Sequence, residues 1–200
     1  MKTLVIVDFQ RDFYHPVGSM YVKGAEHAED AIVNYINEHS SELLDVVFTV
    51  DWHSPNHCSF QKNGGPWPIH CVQFSEGAGI SARIMKACID NNLEFKVFKK
   101  GNCVDTEEYG AFQYMWSYDM TNHYKTCNEA NQYIFLNCSD LVVCGIAGDY
   151  CVKETLNNLL RHNKNEDLNL NIEVLKSGIV SIDRGFVIDE FIKENNLKVI

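Results

Sequence analysis

The chain is short of positive charge and of long apolar runs. Its 200 residues carry 17 Lys and Arg against 27 Asp and Glu, a formal net charge of −10. Nucleic acid and anionic membrane surfaces attract basic patches, so this balance argues against both partners. No apolar run approaches the roughly 20 residues that span a bilayer. The opening MKTLVIVDFQ has one lysine and too short an apolar run for a secretory leader, and Asp8 interrupts it. It reads as the first strand of a cytoplasmic protein. No two of the eight cysteines stand at C-x-x-C spacing, which argues against a zinc ribbon or a dithiol redox motif. A chain this long and 46% hydrophobic has core enough without a disulfide framework, so most of the cysteines are expected to be small buried hydrophobes. Of only four prolines, three fall in residues 54–79. Repeats, low-complexity tracts and linkers are all missing, and one domain over 1–200 is expected.

What is present alternates between two periods. Largely apolar runs at 3–7, 46–50 and 141–144, and shorter ones interrupted by a charge at 95–98, 172–175 and 197–200, read as strands. Between them, 25–39, 80–92, 128–138, the segment after Cys151 and 186–194 repeat apolar residues at helical spacing. Residues 177–181 read as a turn. The aromatic-rich stretch 113–124 has no clean period. The alternation predicts an α/β fold: a three-layer, doubly wound, mostly parallel sheet with helices on both faces.

The polar residues at the carboxyl ends of these strands carry the functional reading, because ligands bind along that edge in such sheets. Asp8 follows the first strand, where an acid fits a cap or turn as well as a catalyst. Asp51 and His53 end the second, and residues two apart on extended chain point the same way, so the pair can grip one ion. His70, on the loop 54–79, completes a carboxylate and two-imidazole set. That mixture suits Zn²⁺, and also Fe²⁺ or Mn²⁺, better than Ca²⁺ or Mg²⁺. His57 is either a fourth ligand or a loop histidine. Lys100 ends the third strand. Cys151 stands at the first turn of a helix after a strand, where the helix N-terminus favours thiolate. A buried structural cysteine is the alternative there. Trp67 either walls a pocket or packs its loop onto the domain.

Six motifs in order resemble the nicotinamidase/pyrazinamidase branch of the isochorismatase-like cysteine hydrolases. They are VDFQRDF at 7–13, DWHSPNHCSF at 51–60, WPIHCV at 67–72, KG at 100–101, YGAF at 109–112 and GIAGDYCV at 145–152. The resemblance spans nearly the whole chain and implies hydrolysis of nicotinamide, or of pyrazinamide, to the acid and ammonia. It implies a catalytic triad of Asp8, Lys100 and Cys151, and an oxyanion hole from the Ala147 and Cys151 amides. It also implies a cis peptide before Ala147 and one divalent metal on Asp51, His53 and His70. His57 is a ligand in some members. Phe13, Trp67 and Tyr109 match positions that enclose the substrate ring. The chain departs from the family at Gly148, where a threonine is usual, leaving the firmness of that turn open. Another amidase or isochorismatase-like hydrolase on the same fold is the alternative, and a homo-oligomer stays open.

Overall fold

The computed structural model describes residues 1–113, 138–166 and 168–200. Its framework is a six-stranded sheet: β1 (Lys2–Val7), β2 (Leu43–Asp51), β3 (Phe95–Lys100), β4 (Asp140–Ile146), β5 (Asn171–Val180) and β6 (Lys198–Val199). The order is β3-β2-β1-β4-β5-β6, and every adjacent pair is parallel. Parallel pairing needs crossovers. α2 (Ala25–His39), α3 (Ala82–Asp90), α4 (Lys153–Glu166) and α5 (Phe186–Glu194) occupy four of them, and a short α1 (Arg11–Tyr14) follows β1.

Alternation along β1 explains the two cores. Leu4 and Ile6 face one side and join Ile32 and Ile36 of α2 and Ile84 of α3. Val5 and Val7 face the other and join Leu156 and Leu159 of α4 and Ile188 of α5. Both faces of β1 are covered, which is why it reads as a nearly continuous apolar run, whereas the edge strand β3 is largely exposed. The chain builds outward from β1 to β3 on one side and from β4 to β6 on the other. The sheet therefore reverses direction between β1 and β4, and a crevice opens at their carboxyl ends.

Several boundaries differ from the sequence reading. α3 begins at Ala82 because the Ser81 hydroxyl caps it, accepting from the Ile84 N–H at 3.2 Å. Residues 177–180, expected as a turn, belong to β5. A register shift opposite Val143 to Gly145 loops part of β5 out, after which Ile179 pairs with Gly145. The Ser-Gly pair reads as a turn because it lies at this irregularity. Cys151 lies not in the first turn of α4 but in a wider turn, Gly148–Val152, closed by a 3.0 Å bond from the Val152 N–H to the Ala147 carbonyl. Among the described residues, Cys71, Cys88, Cys138, Cys144 and Cys151 are buried, while Cys58 and Cys103 are half-buried. The helix expected over 128–138 and the aromatic stretch 113–124 lie outside the described residues, apart from Cys138 and Gln113. No helix among the described residues is long and apolar enough to cross a membrane.

Candidate active site

Asp8 leaves β1 with φ 47°, an uncommon conformation for a residue with a side chain. Thr49 on the adjacent strand holds it there. The Asp8 N–H donates to the Thr49 carbonyl at 3.1 Å, and the Thr49 hydroxyl donates to Asp8 Oδ1 at 2.7 Å. The other carboxylate oxygen lies 2.8 Å from Lys100 Nζ. Lys100 ends β3, two strands away, and its long side chain reaches past β2 to make this contact. Its ammonium also pairs with Asp51, donates to the Glu108 carbonyl at 3.1 Å and lies 3.7 Å from Cys151 Sγ. Asp8, Asp51 and Cys151 present side-chain atoms within 4.8 Å of one another. Three residues from three strand ends thus meet at one buried cation.

Burial by itself would discharge Lys100, but Asp51, Asp8 and Cys151 outweigh it and hold the ammonium well above its usual range. Burial raises Asp8, and nearby Asp51 adds to this while Lys100 opposes it. Asp51 is also penalised by burial, yet Lys100 and then His53 bring it well below the carboxylate range. For Cys151, burial pushes the thiol well above its usual value; Lys100 pulls it down, and Asp8 and Asp51 push it up again. This direction is opposite to the one a helix start alone would give. Burial is the largest of these effects, and with Asp8 and Asp51 it favours the protonated thiol against the pull of Lys100.

The ligand atoms of Asp51, His53 and His70 also lie within 4.8 Å of one another. His53 Nε2 is 3.6 Å and His70 Nε2 3.9 Å from Asp51 Oδ2. Each ring is oriented through its other nitrogen: His53 Nδ1 donates to the Gly101 carbonyl at 3.0 Å, and His70 Nδ1 to that of Pro68 at 2.8 Å. This leaves both Nε2 lone pairs facing the same space, as metal-binding histidines require. His53 Nε2 is buried without a hydrogen-bond partner. One carboxylate, two imidazoles and an orphaned buried nitrogen fit a divalent transition ion. Gly101, at φ 66°, is needed beside them, since a Cβ there would lie 2.5 Å from His53 Cε1.

His57 packs against His53 with ring centroids 4.1 Å apart and the planes tilted by 31°, but falls outside this set of three. Its Nδ1 accepts from the Ser59 N–H at 3.3 Å, and its Nε2 sits 3.1 Å from the Thr106 carbonyl. Burial first and then His53 lower it to about 4.

A pocket of about 420 Å³, counted to its open mouth, leads to Cys151 and Asp51. Phe13, Trp67 and Tyr109 are among its lining residues. The Trp67 Nε1–H donates to the Tyr109 hydroxyl at 3.0 Å. Tyr150 completes this wall, 5.2 Å from the Trp67 ring and 5.5 Å from that of Tyr109. Neither Tyr150 nor Glu107, another lining residue, was singled out from sequence. Tyr150 lies within GIAGDYCV, but its orientation follows from the wide turn, which the sequence does not reveal. The Ile146–Ala147 peptide is cis. At Gly148 a Cβ would come within 2.1 Å of Ser181 Oγ, so packing against β5's end, not a threonine hydroxyl, fills this side of the turn.

No protein-family model matches the chain. It is 31% identical to the nicotinamidase of Saccharomyces cerevisiae over 180 aligned positions, covering 78% of this chain and 79% of that one. The structure of the yeast nicotinamidase bound to the inhibitor nicotinaldehyde superposes with a TM-score of 0.79 at 26% identity, covering 100% of this chain and 99% of that one. The zinc complex of the Pyrococcus horikoshii pyrazinamidase gives 0.76 at 25% identity, covering 100% and 98%. With its motifs, its parallel sheet and its overall similarity in agreement, the chain belongs to the nicotinamidase family.

Proposed function

We propose that this chain, acting as one domain, hydrolyses nicotinamide to nicotinate and ammonia through a thioester on Cys151. The observation that carries the reading is the meeting of Cys151, Asp8 and Lys100 beside the Asp51, His53 and His70 set, at the floor of an aromatic pocket. The ring enters between Phe13 and the Trp67, Tyr109 and Tyr150 wall, and its carboxamide reaches Cys151.

Asp8 takes the thiol proton. Burial has raised its pKa, which makes it a stronger base than an exposed carboxylate and narrows its mismatch with the thiol. Lys100 stays charged throughout and balances the negative charge as it passes from Asp8 to sulfur. The thiolate attacks the carboxamide carbon, and the Ala147 and Cys151 amides hold the oxyanion, at about 3–4 kcal/mol per donor. Asp8 returns its proton to the leaving nitrogen, and ammonia departs. Water then cleaves the thioester, with Asp8 as base, and restores the thiol.

Asp51, His53 and His70 would hold the metal, with Zn²⁺ the proposed ion and Fe²⁺ or Mn²⁺ compatible with the same donors. When bound it supplies a Lewis-acid centre that orients the pyridine nitrogen and polarises water. His57, with both ring nitrogens engaged by protein, braces His53 in this reading. Pyrazinamide offers the same ring size and carboxamide and is the second expected substrate. A cytoplasmic location is part of the proposal.

Ammonia release from nicotinamide, before and after chelation, tests it. Turnover that falls on chelation and returns with Zn²⁺ is expected. No turnover after metal loading would move the assignment to another amide.

A further inference from the structure

We infer that Gln10 and Asp12 are positioning residues that set the backbone of the metal ligands, so the segment after β1 organises both halves of the site. The inference rests on the metal site proposed above. Asp8 reaches the cysteine chemistry, and the next two alternate residues turn to the ligand-bearing segments.

Gln10 does for Asp51 what a neighbouring strand would do. β1 stops pairing with β2 at Val7 opposite Thr49, so nothing from β1 remains to pair with Asp51. The fully buried Gln10 side chain takes that place. Its Oε1 accepts from the Asp51 N–H at 2.7 Å, and its Nε2 donates to the Asp51 carbonyl at 2.8 Å. A primary amide alone among side chains presents a donor and an acceptor in the arrangement of a peptide group. The same Nε2 donates to the Ala78 carbonyl at 3.0 Å, joining the ligand strand to the far end of the long loop.

Asp12 acts on His70. Its Oδ2 accepts from the Cys71 N–H at 2.7 Å, one residue beyond that ligand. Cys71 has φ 44°, a conformation that persists only when surrounding groups impose it. A charged acceptor on its amide is one such group. The Cys71 carbonyl in turn accepts from the His53 N–H at 3.1 Å, so the Asp12 bond bears on both histidines. Gly77 leaves room for this carboxylate, since a Cβ there would lie 2.1 Å from Asp12 Oδ2. Neither residue lines the pocket or belongs to the ligand set, so each acts through another side chain.

The test measures Zn²⁺ affinity by chelator competition, and the visible spectrum of the Co²⁺-loaded protein, in Gln10→Met and Asp12→Asn. Ile84→Val, a core change on α3 at a residue outside the ligand set, is the control for general loosening. The expected result is a 10- to 100-fold loss of Zn²⁺ affinity in each variant, as for other partners that orient ligands. An altered Co²⁺ spectrum and a KM that rises more than kcat falls should accompany it, with Ile84→Val unchanged in all three. Affinities and spectra equal to the parent's would overturn the inference, as would an equal loss in Ile84→Val. If Gln10→Met does not fold, Asp12→Asn decides alone, since its carboxamide preserves shape while removing the charged acceptor. A parent protein that binds no Zn²⁺ would remove the metal site itself, an outcome distinct from variants that bind it as well as the parent.

Discussion

Lys100 and Asp51 are register partners at the ends of β3 and β2, and their side chains form a buried ion pair. The same ammonium pairs with Asp8. The proposed triad and the proposed metal set therefore share a charge and are one electrostatic unit.

Replacing Lys100 with Met should abolish turnover and also destabilise the fold. It leaves two buried carboxylates without their cation, a loss of about 3–5 kcal/mol when one partner of a buried pair is removed. Thermal unfolding of the variant at neutral pH should show this loss. Recovery toward acid, as one carboxylate takes up a proton, should distinguish it from simple loss of packing.

Cys151→Ala should remove turnover while keeping the fold and Zn²⁺ binding. In the metal-free parent, alkylation of Cys151 by iodoacetamide should be slow at pH 7 and rise about tenfold per pH unit to pH 9, because only the thiolate reacts. The sign follows from the raised thiol pKa: the protonated form dominates over this range. A fast, pH-independent rate would mean the thiolate is already formed.

Asp51→Ala should lose bound metal, measured by plasma emission, and raise KM steeply. An unchanged metal content would remove Asp51 from the ligand set.

Gly148→Thr should destabilise the chain by about 1–3 kcal/mol, the usual cost of overfilling a packed site. The threonine usual in the family meets Ser181 Oγ and the Ile179 side chain here. Combining it with Ser181→Gly should recover part of the loss, and a double-mutant cycle on unfolding free energies measures the coupling. Strict additivity would show that Ser181 is not the obstacle.

Much of the layout was legible because Asp8, Asp51 and Lys100 stand at the ends of strand-like runs. Asp8, Asp51, Lys100 and the segment before Cys151 stand where β1, β2, β3 and β4 stop, and parallel pairing brings those ends together. What was not legible depends on groups distant in sequence. The upward shift of the Cys151 thiol follows first from its burial and then from Asp8 and Asp51, delivered by β1 and β2, and neither is visible around Cys151 in the sequence. Tyr150 joins the pocket wall only because the turn before α4 is wide. Gln10 reads as part of a motif, yet its bonds to Asp51 appear only when β1 and β2 lie side by side. Residues 177–180 contain turn formers, and the looped-out pairing with β4 made them strand.

Covalent catalysis at Cys151 leaves an intermediate that acid quenching during turnover of nicotinamide should trap. Peptide mass spectrometry of the quenched enzyme should find a nicotinoyl group on the peptide carrying Cys151, absent in Cys151→Ala, which should also release no ammonia. Rapid turnover by the parent with no adduct at any quench time, together with ammonia release by Cys151→Ala, would contradict the account.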